Sequence, residues 1–214
     1  MPRVYMIPFM AKSGQIAIKE RGTRQLSDLP YLFTAANALE YGIPRTTLHR
    51  LAQQGKIQSI SRGLYIHGTG KTIDLDLAEI AAKAPKATIC LSSALAEYGL
   101  SDEISKRIDI AIPRGTWAPK TAAAVTWHRF DSKTFEDGRN KQAIPGTNLS
   151  IGIYSPERTL ADLARHPKKD QAELVEGIRR WLRQPGNNSS KLLKSSRQLP
   201  GAWFHIQRIL EILA

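Results

Sequence analysis

Residues 42–66 have the sequence GIPRTTLHRLAQQGKIQSISRGLYI, which predicts a turn, an amphipathic helix and a small hairpin. At about 100° per residue, Leu48, Leu51 and Ala52 share one side of that helix. The other side is polar or basic and carries Thr46, Thr47, His49, Arg50 and Gln53. One face is therefore expected to be buried and the other to be free to contact a partner.

A second short helix is predicted directly upstream. Thr34 is expected to cap a helix over 35–40, whose alanine-rich composition suits a close crossing by a neighbour. Gly42 suits a left-handed helix end, and Pro44 is expected in the first turn of the next helix. The sequence on either side of Gly42 therefore predicts two short helices joined by a tight turn. A further helix is predicted upstream of both, over 13–20.

The hairpin follows the amphipathic helix. Gly55 suits the helix end, residues 56–60 and 64–66 are the predicted strands, and 61–63 form the tip. Arg62 at the tip is the first candidate for a contact with the DNA backbone. This order of elements is typical of a winged helix-turn-helix, which places a helix in the major groove and a basic wing beside it.

Alternatives to DNA binding remain for this segment. Taken alone, an amphipathic helix with Arg and Thr outside is more often a solvated face. The combination with the glycine turn, the Pro-started helix and the Arg-Gly hairpin is rarer and favours DNA binding. A winged helix that binds protein, as a pure interaction module, is the main alternative.

The predicted DNA-binding residues are Thr34, Arg45, Thr46, Thr47, His49, Arg50, Gln53, Lys56, Ser61 and Arg62. Arg45 and Arg50 are expected either to read guanine or to clamp phosphate, because a guanidinium pairs with both. Thr46 and Thr47 are expected to donate to phosphate or to touch a thymine methyl group.

Charge supports a polyanionic partner. The chain carries a formal net charge of +12. Residues 1–73 hold ten Lys and Arg against three acids, and the remaining 141 residues hold 21 against 16. Positive charge is thus densest around the motif, as expected if it neutralises phosphates. Solubility or RNA contact is an alternative explanation for the basic composition.

Length and composition favour two domains. A winged helix uses about the first third of the 214 residues, so we predict domains over 1–73 and 74–214. The single Cys90 lies in an apolar run and is expected to be a buried structural thiol, and no Cys/His spacing predicts a metal site. No targeting or membrane-spanning segment is predicted, so we expect a cytoplasmic protein without membrane contact.

The second domain is predicted to be mixed α and β. Helices are expected over 75–84 and 94–98, the latter capped by Ser92-Ser93, and strands over 87–91, 108–112, 125–130 and 149–153. Ser155, Pro156 and Glu157 predict the start of a helix. The serine is a preferred N-cap, proline has a fixed φ that suits the first helical position, and an acid in the first turn interacts favourably with the helix dipole. Further helices are predicted over 171–183, 189–197 and 203–213. The fold class is therefore α+β, with a winged helix, a small sheet and a helical tail.

The helical tail carries a candidate second basic surface. Its members are Arg179, Arg183, Lys191, Lys194 and Arg197. The last three repeat at intervals of three and are expected along one side of a helix, where they would contact DNA or RNA. Solvated helix faces are the leading alternative.

No catalytic constellation is predicted, and we expect no enzyme activity, no cofactor and no metal. His128 and His166 stand near acids without a nucleophile or a phosphate-binding glycine loop. A nuclease fused to a winged helix stays open as an alternative, with Asp109, Asp131 and Asp162 as scattered candidates for Mg²⁺ ligands.

The chain resembles the AbiE-type antitoxins of type IV toxin–antitoxin systems, which also regulate transcription. In the first domain the resemblance lies in residues 42–45, in Leu48, Leu51 and Gly55, and in residues 62–65. The more specific motifs are SALAEYGL at 93–100, IDIAIPRG at 108–115 and SPERTLADL at 155–163. Residues 1–12 and 187–198 depart from the family pattern.

The resemblance implies a bacterial abortive-infection regulator that acts in phage defence. Its winged helix would repress its own operon by binding inverted repeats in double-stranded DNA. Its second domain would counteract a nucleotidyltransferase-like toxin without a stable complex and would support cooperative binding. We expect a monomer or weak dimer that pairs on DNA.

Overall fold

The computed structural model describes residues 26–68, 72–103, 105–166 and 171–213. Two compact units are distinguished by their backbone contacts. The first runs to Pro85 and includes Lys120–Ala123 and Ala143–Ser150, and the second contains Lys86–Pro119, Ala124–Gln142 and Ile151–Ala214. The domain limits 1–73 and 74–214 stay a prediction, because these units are defined by contacts and not by independent folding. The helix predicted over 13–20 lies outside the described residues.

Three strands and three α-helices follow a short 3-10 turn at Leu26–Asp28 in the first unit. They are β1 (Leu32–Thr34), α1 (Ala35–Glu40), α2 (Arg45–Gln53), β2 (Ile57–Ser61), β3 (Leu64–His67) and α3 (Leu75–Lys83). The strands form an antiparallel sheet in the order β1-β3-β2. The sequence did not predict β1, because it has only three residues and exists through its pairing with β3, where Leu32 lies opposite Ile66.

Local capping places α1 and α2. The Thr34 hydroxyl accepts a 3.1 Å hydrogen bond from the Asn37 N–H, and the Asn37 side chain accepts one from the Thr34 N–H, which forms a capping box. Gly42 has φ +76°, which allows the chain to turn tightly out of α1. Pro44 is the N-cap of α2 and not part of its first turn, a one-residue correction to the prediction.

The core of the first unit explains the apolar face of α2. Leu48 and Leu51 are buried there with Phe33, Ile43 and Ile57, and the rings of Phe33 and Tyr65 stack. Burial of such side chains is the main favourable term in folding. The two helices and the hairpin are therefore packed on one shared core.

The second unit is built on a five-stranded sheet with helices. Its elements are β4 (Thr88–Ile89), α4 (Leu91–Glu97), β5 (Ile108–Pro113), β6 (Val125–Phe130), β7 (Arg139–Ala143), β8 (Ser150–Tyr154), α5 (Pro156–Ala164), α6 (Gln171–Arg183), α7 (Ser189–Ser196) and α8 (Ala202–Leu213). The strand order is β6-β5-β4-β8-β7. The β4–β8 and β5–β6 pairs are parallel, and the β4–β5 pair is antiparallel. The predicted α+β class is confirmed.

The predicted cap by Ser92-Ser93 is wrong. Helix α4 begins at Leu91, with Cys90 as its N-cap, and the preceding strand has only two residues. The serine side chains have tertiary partners: the Ser92 hydroxyl donates to Glu173, and the Ser93 hydroxyl accepts from the Asp109 N–H. Strand β7 was also not predicted, because its residues are polar and mostly exposed at a sheet edge.

One buried arginine, Arg158 of helix α5, connects this helix to the loop between β6 and β7. The Arg158 Nε donates to Asp162 at 2.8 Å, and its Nη1 donates to the carbonyl oxygens of Thr134 and Asp137 at 2.6 and 2.7 Å. Its guanidinium lies 4.5 Å from the centre of the Tyr154 ring. The predicted Ser155 cap is present, since its hydroxyl accepts from the Arg158 N–H. These contacts give the SPERTLADL motif a structural role.

Candidate nucleic-acid interface

Helix α2 has one buried and one exposed face. Leu48 has no exposed surface and Leu51 is 7% exposed. The outward residues Arg45, Thr46, His49, Arg50 and Gln53 are all exposed, and Thr47 at the margin is half-buried. The apolar side is thus fixed in the core, and the cationic side is turned to solvent.

The N-terminal end of α2 is open. Its N-cap is Pro44, which supplies no side-chain hydrogen bond. The first bond of the helix joins the Thr47 N–H to the Pro44 carbonyl at 2.9 Å. The N–H groups of Arg45 and Thr46 precede that bond, and N–H groups at a helix start favour anions.

The hairpin holds Arg62 in a defined turn. Arg62 is exposed, and the next residue, Gly63, has φ +81°, a conformation that L side chains rarely adopt. The Gly63 carbonyl accepts a 2.9 Å hydrogen bond from the Ala35 N–H at the start of α1. The Lys56 N–H donates to the Leu51 carbonyl at 2.9 Å, which connects β2 to the end of α2. The tip is therefore bonded to the helices and not only to its own strands.

The remaining predicted contact residues are less accessible. Lys56, Ser61 and Thr34 are half-buried. The Thr34 hydroxyl is engaged with Asn37 as donor and as acceptor. The structure thus assigns Thr34 to helix capping, and a DNA contact by its side chain stays a prediction.

The guanidinium groups of Arg45, Arg50 and Arg62 are available to bind an anion. Among the described residues, no acidic side chain forms an ion pair with Arg45, Arg50 or Arg62. An unpaired arginine keeps its guanidinium free to bind phosphate or guanine in a bidentate manner. The first unit therefore presents three such groups on α2 and the hairpin tip.

The candidate second basic surface is partly engaged in local contacts. Arg179 pairs with Glu176 at 2.7 Å, and Lys191 pairs with Glu157 at 2.8 Å. Arg197 lies 5.8 Å from the centre of the Trp203 ring. Arg183, Lys194 and Arg197 are exposed, and none of the three forms an ion pair with a described acid. A nucleic-acid role for this set stays a prediction.

The three candidate Mg²⁺ ligands of the nuclease alternative, Asp109, Asp131 and Asp162, have different neighbours in the structure. Asp109 is hydrogen-bonded to His128 at 2.8 Å, Asp162 is paired with Arg158 and Arg165, and Asp131 is exposed. Within the described ranges, no group of three or more His, Cys, Asp or Glu side chains is placed to hold a metal ion. The Asp109–His128 contact escaped the sequence analysis, because it joins neighbouring strands β5 and β6 across 19 residues.

Comparison with known proteins identifies one family. Residues 24–66 match the family model described as a transcriptional regulator, AbiEi antitoxin. The matched segment contains β1, α1, α2 and β2 and ends within β3. No curated protein matches the chain. The resemblance found from the sequence is confirmed over residues 24–66, and outside them it stays a prediction.

The described helices include none with the length and apolar character required to cross a membrane.

Proposed function

We propose that the protein binds double-stranded DNA through α2 and the Arg62 turn, represses its own operon, and serves as the antitoxin against a nucleotidyltransferase-like toxin. The observation that carries the DNA-binding part is the outward, unpaired cationic face of α2 on a buried apolar face. The family match supports the regulatory and antitoxin roles, since it covers the same segment.

The expected docking follows from the geometry of the first unit. Helix α2 enters the major groove with Arg45 and Arg50 towards the bases and phosphates. Its open N-terminus approaches a phosphate. The Arg62 turn contacts the backbone beside the groove, and its bond to Ala35 keeps it in register with the helices.

Binding is expected at inverted repeats upstream of the protein's own reading frame. Two copies on one repeat would match the two-fold symmetry of such a site. A monomer or weak dimer that pairs on DNA accounts for this arrangement. Light scattering of the complex with one repeat should therefore give two copies per duplex, whereas one copy would contradict the pairing.

A binding titration tests the proposal directly. Fluorescence anisotropy with a labelled duplex from the upstream region should show nanomolar to micromolar affinity in the wild type. The triple variant Arg45→Ala, Arg50→Ala, Arg62→Ala should lose most of it. The control Arg208→Ala removes an exposed cation from α8 and should bind normally. Equal retention of the duplex by the triple variant would overturn the interface.

The antitoxin role needs a cellular test. The gene is co-expressed with a neighbouring nucleotidyltransferase-like gene, and growth is compared with expression of that gene alone. Restored growth without co-purification of the two proteins is expected. A growth arrest that the wild-type protein does not relieve would contradict this part of the proposal while leaving the DNA titration intact.

A nuclease function has no observation in its favour. Asp109 is bonded to His128 and Asp162 to two arginines, so these carboxylates already have structural partners. We therefore propose a binding protein and not an enzyme.

A further inference from the structure

The second unit exposes a tryptophan at the carboxyl edge of its parallel strands. Trp117 follows β5 and is 83% exposed, which is the largest exposure among the large apolar side chains of the described residues. Single exposed apolar residues are common. This one differs because it shares its loop and the neighbouring loop with cationic residues.

Two loops lie side by side at this edge. Strands β5 and β6 are parallel, with Pro113 opposite Phe130, so the loops that follow them start together. The Arg114 N–H donates to the Phe130 carbonyl at 2.7 Å, and the Ser132 hydroxyl donates to the Arg114 carbonyl at 3.2 Å. Residues 114–117 and 131–133 thus form one surface, which we call the tryptophan edge.

Unpaired cations belong to this surface. Arg114 and Lys133 are both exposed, and no described acid forms an ion pair with them. Asp131 is the acid on the same two loops, and its carboxylate accepts the Lys133 N–H at 2.9 Å. The tryptophan edge therefore keeps an excess of positive charge.

The turn that carries Trp117 is ordered by its own backbone. The Thr116 N–H donates to the Pro113 carbonyl at 3.0 Å, and Gly115 adopts φ +85° between them. Trp117 lies three residues after Arg114, which limits their Cα separation to about 11 Å. That span is comparable to one or two nucleotides of an extended strand.

From this juxtaposition we propose that the tryptophan edge binds a single-stranded segment of nucleic acid, with one base stacked on Trp117 and its phosphates on Arg114 and Lys133. An exposed indole stacks on any base that is itself unstacked, which a single strand offers and a duplex does not. The cations follow the phosphates without reading the sequence. The site belongs to the second unit, and the proposal does not depend on the proposed duplex binding.

Anisotropy with fluorescein-labelled twelve-nucleotide oligo(dT) and oligo(U) tests the proposal on the full chain. Trp117→Ala should weaken strand binding about 5- to 100-fold, from the cost of losing one stacked base. The double variant Arg114→Ala, Lys133→Ala should reduce the slope of log K against log salt by about 1.4, since each phosphate contact to a single strand contributes about 0.7.

Two controls separate this site from others. Phe204→Ala and Arg208→Ala remove an exposed aromatic ring and an exposed cation from α8, and both should bind the strands like the wild type. The triple variant of Arg45, Arg50 and Arg62 should lose duplex binding and keep strand binding. Thermal unfolding of Trp117→Ala should match the wild type, because the side chain is exposed.

Three results would overturn the proposal. One is wild-type strand affinity in Trp117→Ala. Another is loss of strand binding in the α2 triple variant alone. The third is competition by polyglutamate as effective as that by unlabelled oligo(dT), which would identify an acidic polypeptide as the partner of this surface.

Discussion

The backbone N–H of Ala35 donates a 2.9 Å hydrogen bond to the carbonyl oxygen of Gly63. Ala35 is the first residue of α1, and Gly63 is the turn residue next to Arg62. The bond therefore couples the position of the hairpin tip to the helices on the same core. The backbone of the turn that carries Arg62 is therefore fixed next to the start of α1, whereas the backbone of a free loop would not be.

Arg50→Ala and Arg62→Ala should have different effects on DNA binding. Loss of a base-reading Arg50 should cost about 1–3 kcal/mol and relax the preference for one base pair, and loss of a backbone-binding Arg62 should weaken all sequences uniformly. Anisotropy with the upstream duplex and with single-base variants of it measures both effects. Unchanged discrimination in Arg50→Ala would show that it clamps phosphate.

Duplex affinity should fall steeply as salt rises, because each cation that neutralises a phosphate releases a counterion. The slope of log K against log salt should decrease in magnitude by about 0.9 when Arg62 is removed. Titrations between about 50 and 200 mM salt measure it. A protein-interaction module would instead show no salt-dependent affinity for DNA.

Gly63→Ala should destabilise the first unit by about 1–2 kcal/mol. A Cβ at this position meets no atom within 4 Å, so the cost comes from the left-handed φ of +81° and not from a clash. Chemical denaturation followed by circular dichroism measures it. Arg62→Ala, on the same turn, is the matched control and should unfold like the wild type, since its side chain is exposed.

Leu48→Ala should destabilise the first unit by about 2–5 kcal/mol, because it removes a fully buried side chain and leaves a cavity under α2. Leu39→Ala is the control, since Leu39 is 65% exposed and its removal should change stability by less than about 0.5 kcal/mol. Equal effects of the two variants would contradict the orientation of α2 and α1.

Glu79 should make the first unit sensitive to acid. Burial raises the pKa of this carboxyl, but the Lys83 hydrogen bond of 2.6 Å and the backbone N–H of Ala123 outweigh it and leave the pKa lowered from its ordinary value. Because the pKa of Glu79 is lower in the folded than in the unfolded protein, its carboxylate stabilises the fold at pH values above the unfolded-state pKa, near 4.5. This contribution is lost as the pH falls through the pKa of the folded state.

Glu79→Gln should accordingly reduce stability at neutral pH and flatten the loss of stability below about pH 5. Denaturation midpoints measured from pH 3 to pH 7 check the sign. Glu40→Gln replaces an exposed carboxylate of the same unit and is the matched control. A variant with the same acid slope as the wild type would exclude Glu79 as its source.

Local patterns predicted the elements well where capping and periodicity act within a few residues. The helix cap at Thr34, the start of α5 after Ser155 and the bounds of β6 and α6 were all expected from neighbouring residues. Capping bonds join residues three or four positions apart, so a short segment of the sequence contains both partners. Predictions deviated where distant residues compete for a side chain. Ser92 and Ser93 have the composition of a cap but bond to Glu173 and to Asp109.

By itself, the sequence determined that α2 is amphipathic and that Arg62 stands at a glycine turn, because periodicity and φ preference are local properties. Only the tertiary structure decided that the tip is bonded to α1 through Ala35 and Gly63, that β1 exists, and that Asp109 meets His128. It also decided that the loops after β5 and β6, which carry Trp117, Arg114 and Lys133, start side by side. These contacts join residues far apart in the chain. They form through strand pairing and burial in the folded protein, so no short segment of the sequence predicts them.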